Sequence, residues 1–260
     1  MILQDKVIMI TGVGPGMGSK LALESARAGA SVALLARSTG LVDELVSAIG
    51  ASGGKAIGIQ CDVTKVHDCE RAVAATLEAF GRIDGLVNSA YGMTKMLSVE
   101  DADLDQWRSC FEITLFGALN MVRAVLPAMK SAGGGAIVNV GTMETRRPLI
   151  NNGAYNVPKS ALQGATRQLA AELGQHKIRV NSAVIGWMWG KPVEDHMHAY
   201  AQQSGIPFEK LIEERTSHIP IGHIPPDHEC AKSVLMLLSD YTSQVTGAAW
   251  DINGGEFFSM

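Results

Sequence analysis

Six short apolar runs alternate along the chain with longer stretches in which apolar residues recur at steps of three and four. The runs are Val7-Ile8-Met9-Ile10, Ser31-Val32-Ala33-Leu34-Leu35, Ala56-Ile57-Gly58-Ile59, Gly85-Leu86-Val87-Asn88, Ala136-Ile137-Val138-Asn139-Val140 and Arg179-Val180-Asn181-Ser182-Ala183-Val184. Strands buried on both faces read as continuous apolar runs of this kind, and their alternation with helices predicts a parallel sheet wrapped on both sides. Helix faces are marked by Val73, Leu77 and Phe80, by Leu162, Ala165, Leu169 and Leu173, and by Ala231, Val234, Leu235 and Leu238. Pro225-Pro226-Asp227 supplies a stop and an N-cap signal before the last of these. No repeat, low-complexity segment or linker divides the pattern. The expected architecture is α/β, one doubly wound domain over residues 1–260.

The alternation breaks between Trp187 and about Ile219. Trp187, Met188, Trp189, Met197, Tyr200, Phe208 and Leu211 are interleaved there with charges and with His196 and His198. An insertion rich in aromatic and soft side chains, beginning where a late strand ends, is read as a substrate lid over residues 187–219. His196 and His198 are two apart, hence on different sides of a helix, and no acidic or thiol ligands surround them, so no metal site is expected.

Composition narrows the partners. The chain of 260 residues is 47% hydrophobic and 18% charged, that of an ordinary folded protein, and its formal net charge is -4. With no basic cluster longer than Arg146-Arg147, neither nucleic acid nor an anionic membrane is an expected partner. Cys61, Cys69, Cys110 and Cys230 lack Cys-x-x-Cys spacing, which points to buried reduced thiols. No apolar run approaches a bilayer-spanning length and no leader pattern opens the sequence, so a cytoplasmic, unprocessed protein is expected.

Two stretches carry candidate chemistry. Directly after the first strand comes Thr11-Gly12-Val13-Gly14-Pro15-Gly16-Met17-Gly18, leading into a helical pattern. Glycines let the backbone turn tightly and approach a pyrophosphate, whose charge the helix N-terminus favours. Far along the chain, Tyr155 and Lys159 stand four apart at the start of a helical segment, so a hydroxyl and an ammonium can address one site. A nearby cation favours a phenolate, which would turn an ordinary tyrosine into a tuned proton donor.

The glycine spacing, with Tyr155 and Lys159, resembles that of the short-chain dehydrogenases/reductases, and the resemblance extends through nearly the whole chain. Asp62-Val63 resembles the family's pair that meets the adenine ring. Asn88-Ser89-Ala90-Tyr91 looks like a drifted Asn-Asn-Ala-Gly, keeping the Asn that steadies the sheet and the third-place Ala. Arg179-Val180-Asn181-Ser182 followed by Gly186 is similar to the strand and turn on the nicotinamide side, and Asp251-Ile252-Asn253-Gly254-Gly255 to the closing strand. The resemblance implies a Rossmann-type doubly wound parallel sheet with helices on both faces. It also implies an NAD(P)-dependent oxidoreductase that interconverts a secondary alcohol and a ketone, with Tyr155 as proton donor or acceptor. Lys159 is then expected to hold the nicotinamide ribose and lower the tyrosine pKa. The cofactor would be held by Gly12, Gly14, Gly16, Met17, Gly18, Arg37, Asp62, Val63, Asn88, Ala90, Tyr155, Lys159 and Gly186.

Cofactor choice turns on the end of the second strand, where an NAD enzyme of this type usually carries a carboxylate. Ala36 stands there, followed by Arg37, which suits a 2'-phosphate, so NADP is expected with NAD as the alternative. The family's catalytic serine falls on Thr142, thirteen residues before Tyr155; threonine keeps the hydroxyl but adds a methyl. Thr145 is the fallback. Thr114 occupies the place of an Asn that helps hold a water near the lysine, and it can either bond water or bond back to a carbonyl one turn earlier.

The apolar content of residues 187–219 points to a small-molecule substrate that is hydrophobic or cyclic. The alternatives are a 3-oxoacyl-type or sugar reductase of the same family, or a non-catalytic dinucleotide-binding sensor. By resemblance the chain is expected to be a homo-oligomer, a tetramer or dimer pairing helices such as the one that starts at Tyr155. The apolar Phe257-Phe258 is expected to be buried or in a subunit contact.

Overall fold

The structure, a computed structural model, describes residues 1–258. Each of the six apolar runs is a strand: β1 (Val7–Thr11), β2 (Ser31–Ala36), β3 (Lys55–Gln60), β4 (Gly85–Asn88), β5 (Gly135–Thr142) and β6 (Ile178–Ile185). A seventh, β7 (Ala249–Ile252), closes the sheet, whose order is β3-β2-β1-β4-β5-β6-β7 with every pairing parallel. The order reverses between β1 and β4. That switch point is where a ligand crevice opens beyond the carboxyl ends of the strands.

Side chains alternate across each strand, and the sheet thereby divides its apolar residues between two cores. Ile8, Ile10, Val32, Leu34 and Val138 face α1 (Met17–Arg27), α2 (Gly40–Ala51) and α9 (Asp227–Leu238). Met9, Ala33, Leu35, Leu86 and Ile137 face α3 (Val66–Phe80), α5 (Gly117–Ser131) and α6 (Gly153–Leu173). Complete burial of such side chains contributes about 1.5–3 kcal/mol apiece, so the two cores hold the frame on which the crevice is built.

Helices α4 (Leu104–Phe111) and α5 are joined through a π turn at Glu112–Phe116 into one run of 28 residues, Leu104–Ser131. That run is long and apolar enough to cross a membrane by length and composition. Its face carrying Met121, Val122, Val125 and Met129 is buried in the second core, which is how a core helix of this composition reads.

The spacing along α6 is only partly reflected in its burial. The fully covered line is Leu162, Thr166, Ala170 and Leu173, whereas Ala165 and Leu169 are half-buried; Thr166 on the covered line accepts from Asn139 of β5. At α9 the N-cap position is Pro226; Asp227 lies inside the helix and turns its carboxylate to Lys20 on α1, at 3.7 Å. The capping reading of Asp227 is corrected accordingly. Phe257 is half-buried but Phe258 is exposed, so burial within the chain is not its role.

Residues 187–219 form two helices, α7 (Lys191–Ser204) and α8 (Phe208–Thr216), with Met197, Leu211 and Ile219 buried. His198 stacks on Phe208 at 4.0 Å, Trp189 meets the same ring edge-on at 6.4 Å, and the Arg215 guanidinium lies 4.2 Å over Trp187. The base of this segment is pinned to α9: Trp189 N donates to Pro225 O at 2.8 Å, and Asp227 N to Trp189 O at 2.8 Å.

Candidate active site

The crevice begins with Thr11, the last residue of β1. Its buried hydroxyl accepts from the backbone N–H groups of Ser89 (3.1 Å) and Ala90 (3.3 Å) and donates to Val87 O at 3.4 Å. One side chain thus fastens the ends of β1 and β4 across the switch point. Gly12 follows in the left-handed region at φ 66°, and a Cβ there would stand 2.5 Å from Ala90 Cα. Gly18 is equally confined, with Gly12 O at 2.5 Å from the place of a Cβ, so it serves the packing of α1 on the turn. Gly16 has nothing within 4 Å and Gly14 only Gly12 O at 3.9 Å. The N-terminus of α1 receives no side-chain cap; Ser19 N is bonded to Gly14 O at 3.1 Å, and the first-turn N–H groups that the main chain does not engage are open to an anion. Such a cradle fits a pyrophosphate. Met17 buries its side chain in the first core and can offer only its backbone N–H.

A cleft runs from this turn along the ends of β2 and β3. Gly12, Gly14, Arg37, Asp62, Val63 and Ala90 all line it. Arg37 is exposed, and its guanidinium has no carboxylate partner among the described residues. Asp62 is fixed by Thr64, whose N–H and hydroxyl both donate to Oδ1, at 3.0 and 2.8 Å. Asn88 is buried and does not line the cleft; its Nδ2 donates to Asn139 Oδ1 (2.9 Å), Asn139 Nδ2 to Thr166 Oγ1 (2.9 Å), and Thr166 to Leu162 O (2.9 Å). The chain of bonds ties β4 and β5 to α6. Gly186, at the end of β6, allows the close approach of Asn253, whose Cβ would be 2.6 Å from a Cβ at that position.

Tyr155 stands in the first turn of α6 and Lys159 one turn later. Lys159 is fully buried; its Nζ donates to Val140 O at 2.5 Å and lies 5.9 Å from the Tyr155 ring centre and 5.5 Å from that of Tyr91. Burial lowers its pKa from the ordinary 10.5 to about 8. Burial likewise pushes the Tyr155 hydroxyl well above its usual range, with the Thr142 side chain pulling the other way and the charges of Glu144 and Tyr91 adding to the rise. The expected depression of the Tyr155 pKa by Lys159 is therefore absent from the chain by itself, because desolvation dominates. Tyr155 is held neutral and protonated.

Thr142 is buried at the end of β5 and is brought together with Tyr155. Thr145, the fallback, directs its hydroxyl to Thr142 O at 2.9 Å and is a local turn contact. Thr114 sits in the π turn, buried, and its Oγ1 accepts from Gly92 N at 3.0 Å. The bond back to a carbonyl one turn earlier is not formed; the hydroxyl instead anchors the loop that carries Tyr91.

Two residues of the crevice were not picked out by motif. Tyr91 replaces the family glycine, lines the cleft and packs edge-on against Tyr155 at 5.7 Å, joining the nucleotide side to the Tyr155 side. Glu144 is buried in the short turn after Thr142, where burial raises its pKa and Asn152 Nδ2, at 2.9 Å from Oε2, opposes the rise. A carboxylate two residues from a candidate catalytic hydroxyl was the available signal.

Comparison with known proteins bears on the whole chain. The family model described as enoyl-(acyl carrier protein) reductase matches residues 12–256. The chain is 35% identical to trans-4-hydroxycyclohexanecarboxylate dehydrogenase of Sinomonas cyclohexanicum, with 97% of this chain and 93% of the relative covered. It is 31% identical to 2-(S)-hydroxypropyl-CoM dehydrogenase 3 of Xanthobacter autotrophicus, with 97% of each covered. Levodione reductase superposes with a TM-score of 0.88 at 30% identity, over 98% of each chain.

Proposed function

The chain belongs to the short-chain dehydrogenase/reductase family and is an NAD(P)-dependent alcohol dehydrogenase or carbonyl reductase, and on that premise we propose that it interconverts a hydrophobic or cyclic secondary alcohol and its ketone with NADP. The observation that carries this reading is the junction of a glycine-built nucleotide cleft with Thr142, Tyr155 and buried Lys159 through the ring of Tyr91.

A bound nicotinamide would supply or accept the hydride. The protein's part is to orient the substrate and manage one proton. Thr142 would hold the substrate oxygen by its hydroxyl. Tyr155, which keeps its proton at neutral pH, would donate it to that oxygen in the reductive direction and take it back in the oxidative one. Lys159 is the buried cation nearest the phenol ring and would stabilise the phenolate left behind while holding the ribose. Gly12, Gly14, Gly16, Met17 and Gly18 would face the pyrophosphate through their backbone, Asp62 and Val63 the adenine, and Asn88, Ala90 and Gly186 the nicotinamide side. Thr114 would act through the loop it anchors.

The NADP preference rests on Arg37, exposed and unpaired among the described residues beside a strand end that carries Ala36 where a carboxylate would repel phosphate. The substrate class rests on the aromatic α7–α8 segment, proposed as a lid, and on a relative whose name specifies a hydroxycyclohexanecarboxylate. Arg146 is committed to an ion pair with Asp251 and to Ala249 O, which leaves little basic surface for an acyl-carrier partner. Exposed Leu104, Phe116 and Val157 on the α4–α6 side support assembly as a dimer or tetramer.

The test is steady-state turnover of a ketone and alcohol panel with NADPH and NADH. NADPH should be the better cofactor, and Arg37→Ala should reduce its kcat/KM by roughly tenfold or more while sparing NADH. A clear NADH advantage refutes the cofactor assignment. Tyr155→Phe should lower kcat by about 10²–10⁴. Full activity in that variant removes its proton-donor role, and cofactor binding without turnover on any substrate would favour the sensor.

A further inference from the structure

We infer that Glu144 binds a hydrogen-bond donor on the substrate, a hydroxyl on the carbon next to the reacting one, so that the preferred substrates are vicinal diols and α-hydroxy ketones. The inference rests on the alcohol–ketone reading above and narrows its substrate class.

Three observations support it. Glu144 is only 9% exposed, yet no Lys, Arg or His lies within ion-pair distance of it among the described residues. Buried carboxylates without a cation are rare because desolvation disfavours the charge, so the group needs another source of donors. Among the described residues just one is supplied to the side chain. Asn152 Nδ2 donates to Oε2 at 2.9 Å, and Oε1 has no donor among the described residues and is not sealed from open space. Asn152 stands at the N-cap position of α6 without a side-chain cap bond, and its Nδ2 ties the Glu144 carboxyl to the start of the helix that carries Tyr155.

The orientation is set from both ends. Glu144 N donates to Thr142 Oγ1 at 3.3 Å, which places the carboxyl on the same short turn as the hydroxyl expected to hold the substrate oxygen. Its charge is also felt by Tyr155. A polyatomic substrate seated with one oxygen between Thr142 and Tyr155 would bring the atoms on its neighbouring carbon toward Oε1. An acceptor there rewards a hydroxyl and leaves a C–H analogue unrewarded, and a charge-assisted bond of this kind discriminates by about tenfold to a hundredfold.

The experiment compares 2-hydroxycyclohexanone with cyclohexanone, using NADPH, in the wild type, Glu144→Gln and Glu144→Leu. The quantity read is the ratio of the two kcat/KM values. The wild type should prefer the hydroxy ketone by tenfold or more, Glu144→Gln should keep part of the preference through its amide oxygen, and Glu144→Leu should bring the ratio close to one. A wild-type ratio near one, or a ratio that survives in Glu144→Leu, overturns the assignment. A purely structural clamp between the turn and α6 would lower the melting temperature of Glu144→Leu and leave the ratio intact. Should Glu144→Leu not fold, Asn152→Ala releases the carboxyl and should lower the ratio on its own. If neither ketone turned over, the alcohol–ketone reading would fail instead. The affinities of the two ketones for the NADPH complex, measured by quenching of nucleotide fluorescence, would then decide for Glu144, with equal affinities counting against it.

Discussion

Lys159 offers a test in which stability and activity should move in opposite directions. Its ammonium is buried to 1% exposure, and burial brings its pKa from 10.5 to about 8. At about 1.4 kcal/mol per pKa unit, the folded state carries a penalty of about 3 kcal/mol when the lysine is protonated. Replacing it with methionine of similar length removes that penalty but leaves Val140 O without its 2.5 Å partner, a loss of about 1 kcal/mol. At pH 7 Lys159→Met should therefore be more stable by about 2 kcal/mol, or roughly 5 °C in Tm for a chain of this size, while losing turnover. The pH dependence fixes the origin. Below pH 8 the lysine is protonated in both folded and unfolded chains and the whole penalty is present. Between pH 8 and 10.5 the folded chain is deprotonated and the unfolded one is not, so unfolding takes up a proton and wild-type stability rises with pH. The advantage of Lys159→Met should shrink over that window and be nearly gone by about pH 10. Urea unfolding followed by tryptophan fluorescence, with both proteins at equal concentration from pH 7 to 10, measures the difference directly, and other groups that titrate cancel. A variant less stable than the wild type at pH 7, or a gap independent of pH, would refute the reasoning.

The glycine turn separates folding from binding. Gly12→Ala must enter the left-handed region and press on Ala90 at 2.5 Å, so it should cost 2 kcal/mol or more by the combined strain and abolish tight nucleotide binding, read by thermal unfolding and nucleotide fluorescence. Gly16→Ala meets no atom within 4 Å and should fold as well as the wild type while binding NADPH about tenfold more weakly; a large drop in its Tm would count against the cradle. At the substrate end, Thr142→Ser should retain most activity and Thr142→Val should lose about 10²-fold in kcat at similar stability, with equal activities of the two variants excluding the hydroxyl from catalysis.

The apolar runs placed six strands to within about two residues because a parallel sheet covered on both faces admits few polar residues, and the strand from Gly85 to Asn88 was bounded as found. Less was legible where tertiary contacts outweigh local pattern. The burial line of α6 runs through Thr166, whose bond to Asn139 no periodicity announces. Asp227 carries a capping residue type, but Lys20, distant in sequence, draws its carboxylate elsewhere. Thr114 was visible only as a departure; its bond to Gly92 depends on a π turn that inserts a residue into the helix, a local irregularity without a composition signal. Glu144 and Tyr91 escaped for another reason: their significance comes from what lies across the crevice, not from what precedes or follows them.

The Thr11 clasp bears on how such a site can change. Its hydroxyl engages the main chain of Val87, Ser89 and Ala90 and is indifferent to what those residues carry. The stretch Asn88-Ser89-Ala90-Tyr91 can therefore accept a serine and a tyrosine in place of asparagine and glycine without unfastening the two halves of the sheet. Selection is then free to vary the wall that meets the ligand while the seam that holds the nucleotide turn stays closed, so ligand preference and scaffold can evolve on separate accounts.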